Sequence, residues 1–231
     1  MRELNYIDET IEKDENPALR IGSVGRSASS TVYLMDCIEG MKQFPDKIFD
    51  LAVVDPPYGL SDKITLGGGI RKKYNKQYDW DNETPKKDYW IELFRVSKNQ
   101  IVWGGNYFFE HLPNTRCVLS WDKMQEFSGA DFELAWTSFD KPAKTFRMSR
   151  VEAHGKGVIH PTQKPTKLYD WILSNYASEG DLILDTHLGS QSSRIAASKA
   201  GLDFVGFEID REYFVNGNKR FKNFVSQGVL F

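Results

Sequence analysis

The chain has 231 residues, enough for one domain with a sizeable core and a short insertion. A hydrophobic fraction of 40% and an aromatic fraction of 13% exclude a disordered chain. No stretch approaches the ~20 apolar residues of a membrane span, and the two cysteines, Cys37 and Cys117, lack the spacing of a zinc or redox pair. A net charge of −2 excludes a surface coated throughout for nucleic acid, so the expectation is a cytosolic, reduced protein without a structural metal.

Residues 1–30 are polar and end in Ser27-Ala28-Ser29-Ser30, which predicts a loosely packed lead-in to one domain over 31–231. Thr31–Asp36 predicts a strand and Cys37–Phe44 a short helix. Phe49–Val54 is a continuous apolar run of strand length, stopped by Asp55-Pro56-Pro57-Tyr58-Gly59. Proline donates nothing to a sheet ladder, so the chain leaves the sheet there. Asp55 is thereby expected at the carboxyl end of a buried strand, the edge where open α/β sheets bind ligands.

Residues 61–80 contain Gly67-Gly68-Gly69 and predict a long loop. Within it, Lys63, Arg71, Lys72, Lys73 and Lys76 oppose Asp62 alone over residues 61–78. A second basic stretch, 140–157, holds Lys141, Lys144, Arg147, Arg150 and Lys156 against Asp140 and Glu152. Two basic segments on a mildly acidic chain fit a phosphate-facing side, and equally a pair of solvated loops.

Further along, Lys86–Ser97 has helical spacing, Gln100–Trp103 reads as a strand and Asn106–His111 as a short helix. Arg116–Trp121 and Phe132–Thr137 predict strands, and Thr166–Ala177 a helix. Leu182–Asp185 and Phe204–Glu208 predict strands, Ser192–Ala200 and Arg211–Val225 helices. The alternation implies a three-layer α/β fold around a mainly parallel sheet.

Three constellations carry chemistry. In Asp55-Pro56-Pro57-Tyr58, a carboxylate and a proline-fixed carbonyl can accept both hydrogens of an exocyclic amine. That frees the nitrogen lone pair for an electrophile, while Tyr58 offers a ring for stacking an extruded base. The bland reading is a strand end with a Pro-Pro stop. Asp185-Thr186-His187-Leu188-Gly189-Ser190-Gln191 reads as a small-residue turn opening a helix, and Glu208 at the next strand end can hold ribose hydroxyls. With one glycine it is not the dinucleotide fingerprint. His160-Pro161-Thr162-Gln163-Lys164-Pro165 precedes a helix; Lys164 can meet a ligand carboxylate, or the segment is only a helix lead-in. His111 and His154 have no partner pattern and read as structural or surface residues.

Together these segments resemble the amino-methyltransferases of DNA, in the branch, seen in phage and prophage enzymes, whose catalytic motif precedes the cofactor motif. The resemblance runs from about Thr31 to Phe221 and includes Ile101–Phe108 and Glu133–Ser138. It implies a methyltransferase-type Rossmann three-layer sandwich, circularly permuted, with a mostly parallel seven-stranded sheet. It implies S-adenosyl-L-methionine as cofactor, held by Asp36, Lys164, Pro165, Asp185, His187, Gly189, Ser190 and Glu208. Asp55, Pro56, Pro57 and Tyr58 become the catalytic residues of methyl transfer to adenine N6 of a flipped-out DNA base, in a restriction-modification setting. N4-cytosine methylation, an RNA substrate and a non-catalytic nucleic-acid-binding subunit stay open. The DNA-contacting set is Lys63, Arg71, Lys72, Lys73, Lys76, Lys144, Arg147 and Arg150, in short recognition insertions near 61–80 and 138–157, with room for a homodimer. One departure matters: Gln191 stands where the family turn has glycine, which bears on the width of the cofactor pocket.

Overall fold

The computed structural model describes residues 12–19, 28–60, 83–124, 130–154 and 163–228. The basic cluster Lys63, Arg71, Lys72, Lys73 and Lys76, and His160–Thr162, lie outside the described residues, as do the side chains of Arg150 and His154.

Strands β1 (Lys13–Leu19), β2 (Ala28–Leu34), β3 (Phe49–Val54), β4 (Ser97–Trp103), β5 (Val118–Asp122), β6 (Phe132–Thr137), β7 (Lys144–Arg147), β8 (Leu182–Asp185) and β9 (Asp203–Glu208) form one sheet. Its order is β1-β2-β9-β8-β3-β4-β6-β5-β7. The five pairs β2·β9, β9·β8, β8·β3, β3·β4 and β5·β7 are parallel and the other three antiparallel. The expected parallel core is present, but among the described residues the sheet has nine strands rather than seven. Both extra strands lie at edges. The predicted lead-in contributes β1, which pairs antiparallel with β2, and the predicted basic loop contributes β7, which extends β5. Edge strands carry charge and lack a two-sided apolar pattern, so KDENPAL and KTFR gave no strand signal.

Helices cover both faces. On one lie α1 (Cys37–Lys42) and α2 (Lys87–Val96), packing Met41, Tyr89, Trp90 and Leu93 against Phe49, Ala52, Val54 and Phe207. On the other are α4 (Thr166–Tyr176), α5 (Ser192–Ala200) and α6 (Arg211–Gly228), which bury Leu168, Ile172, Ala196 and Phe214 against Val32, Leu51, Val53 and Phe204. The short α3 (Arg150–His154) follows β7. Alternating residues of β3 feed the two cores, which is why its sequence is a continuous apolar run. The expected Asn106–His111 helix is reduced to a 3₁₀ turn, Gly105–Tyr107, where Gly104 takes φ +69° and the Gly105 Cα lies too close to Trp136 to carry a Cβ. Among the described residues no helix is long and apolar enough to cross a membrane.

Candidate active site at the carboxyl edge of the sheet

Parallel β2, β9, β8, β3 and β4 all end at one edge, and antiparallel β6 begins there. That edge therefore gathers Asp36, Glu208, Asp185, Asp55, Gly104 and Glu133. A cavity of about 300 Å³ opens along it. It is lined by Asp36, Asp55, Pro57, Lys164, His187, Gly189, Ser190 and Glu208 among the residues singled out in the sequence. Pro56, Tyr58, Pro165 and Asp185 are not part of its wall.

Asp55 is held from two sides. The Tyr58 hydroxyl donates to Oδ1 at 2.5 Å, and the Lys164 ammonium donates to Oδ2. Lys164 also contacts the Tyr58 hydroxyl oxygen at 3.2 Å and Glu133 Oε2 at 3.3 Å, with only 4% of its side chain exposed. Burial by itself would depress the Lys164 ammonium, but the Asp55 and Glu133 carboxylates hold it above the usual lysine range. Lys164, expected to meet a ligand carboxylate, lines the cavity and is held by a carboxylate cluster of the protein itself. The Tyr58 ring stacks on Tyr107, with centroids 4.9 Å apart and planes 16° from parallel. A Cβ on Gly104 would stand 2.2 Å from that ring, so the glycine makes room for it.

The turn after β8 is tied from below. Asp185 accepts from the His187 N–H at 3.0 Å through Oδ1 and from the Ser193 hydroxyl at 2.5 Å through Oδ2. Both oxygens serve the turn, which explains why Asp185 lies beneath the cavity and not on its wall. Burial lifts its pKa to about 6. Arg220 of α6 donates to the Ser190 carbonyl at 2.6 Å and to the Thr166 hydroxyl at 3.2 Å, clamping the turn to the start of α4. Pro165 occupies the N-cap position of α4. His187 is half-buried between the Thr186 hydroxyl (2.9 Å) and the Tyr89 ring (5.5 Å), and desolvation lowers its pKa to about 4.

Glu208 accepts from the Gly189 N–H at 2.8 Å and from the Asp210 N–H at 2.9 Å. Burial still raises its pKa to about 7 against those two bonds. Asp36 caps α1, with Oδ1 accepting from Ile38 N (2.9 Å) and Glu39 N (3.0 Å).

Gln191 does not narrow the cavity. It adopts φ +57°, the left-handed conformation a turn glycine would take, and its side chain points away into the interface of α5 with α6. There its Nε2 donates to Asn218 at 2.6 Å, and its Oε1 accepts from the fully buried Arg194 at 3.0 Å. Arg194 continues the network to Ser30 Oγ at 2.7 Å and to the Asp14 carbonyl at 3.3 Å, which fastens β1 and β2 to α5.

Of the described basic residues, Arg147 ends β7 at the cavity edge and pairs with Asp122 at 3.3 Å, while Lys144 starts the same strand and is exposed. Sequence reasoning missed Tyr169, Ile209 and Tyr213 in the cavity wall. Ile209 directly follows Glu208 and Tyr213 stands one helical turn further, a spacing that places both on one side of the entry to α6.

The family model described as DNA methylase, for the N6 and N4 enzymes, matches residues 121–219. The type II methyltransferase M2.MboI of Moraxella bovis is 25% identical over 240 residues, covering 82% of this chain and 86% of its own. The PvuII DNA methyltransferase, cytosine-N4-specific, superposes with a TM-score of 0.59 at 15% identity, over 88% of this chain and 93% of its own. The complex of M1.HpyAVI with SAM gives 0.55 at 20% identity, over 82% and 97%. The fold is shared with both solved structures.

Proposed function

We propose that the protein is an S-adenosylmethionine-dependent methyltransferase acting on the exocyclic amine of a DNA base, with adenine N6 as the target. The observation that carries this reading is one cavity walled both by Glu208 with the glycine turn and by Asp55. A nucleoside-binding acid and an amine-binding acid thus face a shared space. Its volume of about 300 Å³ falls at the lower end of small-molecule sites. The buried Glu208 carboxyl suits ribose hydroxyls, and the Gly189–Ser190 backbone permits close approach. Asp36, His187 and Pro165 belong to the same end. The strand order β2-β9-β8-β3 supports a permuted methyltransferase sheet in which β8 is the first cofactor strand.

The cofactor, when bound, supplies an electrophilic methyl group. The remaining work falls to the chain. Asp55 and the Pro56 carbonyl accept the N–H hydrogens of the target amine and turn its lone pair toward that methyl. The Tyr58 hydroxyl donates to Asp55 Oδ1, so the incoming amine takes the place of that O–H. The Tyr58 ring, backed by Tyr107, remains to stack on the base. Arg147, Lys144, Arg150 and the 61–80 cluster would meet phosphates. The leading Asp of Asp55-Pro56-Pro57-Tyr58 favours adenine; the cytosine-N4-specific neighbour keeps cytosine as the second reading.

The Asp55→Ala variant tests this division of labour. Methyl transfer to unmethylated DNA should fall at least a hundredfold, while S-adenosylhomocysteine affinity by titration calorimetry stays within a few-fold. Transfer above about one tenth of wild type, or loss of both properties together, contradicts the assignment.

A further inference from the structure

We infer that Glu133 is a positioning residue for the transfer step, acting through Lys164 on Asp55; this rests on the reading of Asp55 as the group that engages the target amine.

Glu133 begins its strand at the cavity edge, one residue into β6, because β6 runs antiparallel to β4. Its two carboxylate oxygens are divided between two ammonium groups. Oε1 accepts from Lys123 at 2.9 Å, and Oε2 faces Lys164 at 3.3 Å. Lys164 then reaches Asp55 and the Tyr58 hydroxyl oxygen. An ammonium has three N–H donors, and Lys164 has three oxygen partners: Asp55, Glu133 and Tyr58. Its charge also sits 5.7 Å from the Tyr58 ring centroid and 5.5 Å from that of Trp103. The result is an alternating row, Lys123–Glu133–Lys164–Asp55, in which each charge meets one of opposite sign.

The chemistry needs such a row. Lysine is a compact charge on a flexible four-carbon stem, so a single carboxylate partner would leave it free to follow Asp55 through several rotamers. Glu133 pins it from the far side. Asp55 then has one oxygen fixed by an immobile cation and the other directed at the tyrosine hydroxyl, the position the amine hydrogen takes over. Burial opposes the charge on Glu133, yet Lys164 and Lys123 keep the carboxyl below its usual range, so the row persists at neutral pH. Glu133 does not line the cavity. It is therefore placed to act on geometry and not on substrate. The sequence marks Glu133 only as the first residue of the segment Glu133–Ser138 and not as a partner of Lys164, because the two are joined only by the fold.

The test is steady-state kinetics on Glu133→Gln, with Glu133→Asp as the second arm, using labelled S-adenosylmethionine and unmethylated DNA. Misplacement of a reacting group by about 1 Å can cost roughly a hundredfold, so kcat should drop about ten- to a hundredfold in Glu133→Gln. KM for DNA and the dissociation constant of S-adenosylhomocysteine should stay within about threefold of wild type. Glu133→Asp keeps the charge and should recover part of kcat. An active wild type with Glu133→Gln within twofold of its kcat overturns the inference alone. So does a parallel loss of kcat, S-adenosylhomocysteine affinity and melting temperature in both variants, which would mark Glu133 as a plain structural residue. A wild type that transfers no methyl overturns the parent reading, and the inference with it.

Discussion

Glu208, which we propose holds ribose hydroxyls, is a carboxyl whose charge burial opposes. Its carboxyl is raised by burial to about 7 from an ordinary 4.5, so the native protein takes up this proton more readily than the unfolded chain. Its contribution to stability is complete below pH 4.5 and is lost as the pH rises to 7. Asp185, lifted to about 6, behaves the same way, and His187, lowered to about 4, runs oppositely. Comparing Glu208→Gln with wild type cancels the other groups. The melting-temperature difference should shift in favour of the variant between pH 5 and pH 8. Binding should move the other way. A carboxylate holds hydroxyl donors better than a neutral carboxyl by about 1 kcal/mol, so wild-type affinity for S-adenosylhomocysteine should weaken roughly three- to tenfold from pH 8 to pH 6. The variant should give a flat profile; a flat wild-type profile would remove Glu208 from the ligand. Asp55 and Glu208 were legible in the sequence because each ends an apolar strand. Lys164 was visible as a site residue but not in its pairing, because its partner Asp55 lies 109 residues away. Gln191 looked like a defect in the turn and is instead one member of a buried polar network.

At the scale of elements, the runs β3, β8 and β9 and helices α4 and α5 could be read within a residue or so from their apolar patterns. The edges could not, since β1 and β7 owe their conformation to a neighbour already in the sheet. The Trp103-Gly104-Gly105 segment lies between these cases: its glycines announce a turn, but not what they make room for. Gly104→Ala tests this against Gly201→Ala. Both positions have positive φ, +69° and +68°, but a Cβ at Gly201 meets nothing within 4 Å, while one at Gly104 meets the Tyr58 ring. Strain alone costs about 1–2 kcal/mol, and the added overlap about 1–3 more. Gly104→Ala should therefore melt several degrees below Gly201→Ala, and lose transfer while keeping S-adenosylhomocysteine affinity. Equal melting temperatures and equal activity would mean that Tyr58 does not depend on its seat over the glycine.

For the whole molecule, the arrangement follows from where parallel strands end. Five strand ends and one strand start put five acids, Asp36, Glu208, Asp185, Asp55 and Glu133, and the turn glycine Gly104 along one edge. A cavity opens along that edge, and the helices on both faces of the sheet hold the edge in place. The α/β class and this edge were predictable from alternation and from the Pro-Pro stop. The nine-strand width and the Lys123–Glu133–Lys164–Asp55 row were not, because both are long-range pairings. The central claim is methyl transfer to an exocyclic amine of DNA. It is tested most directly by incubating the protein with deuterium-methyl-labelled S-adenosylmethionine and unmethylated genomic DNA, then digesting to nucleosides for mass spectrometry. The predicted result is labelled N6-methyl-2′-deoxyadenosine with wild type and none with Asp55→Ala. Labelled N4-methyl-2′-deoxycytidine in its place would move the target to cytosine, and the absence of label from both nucleosides would contradict the claim.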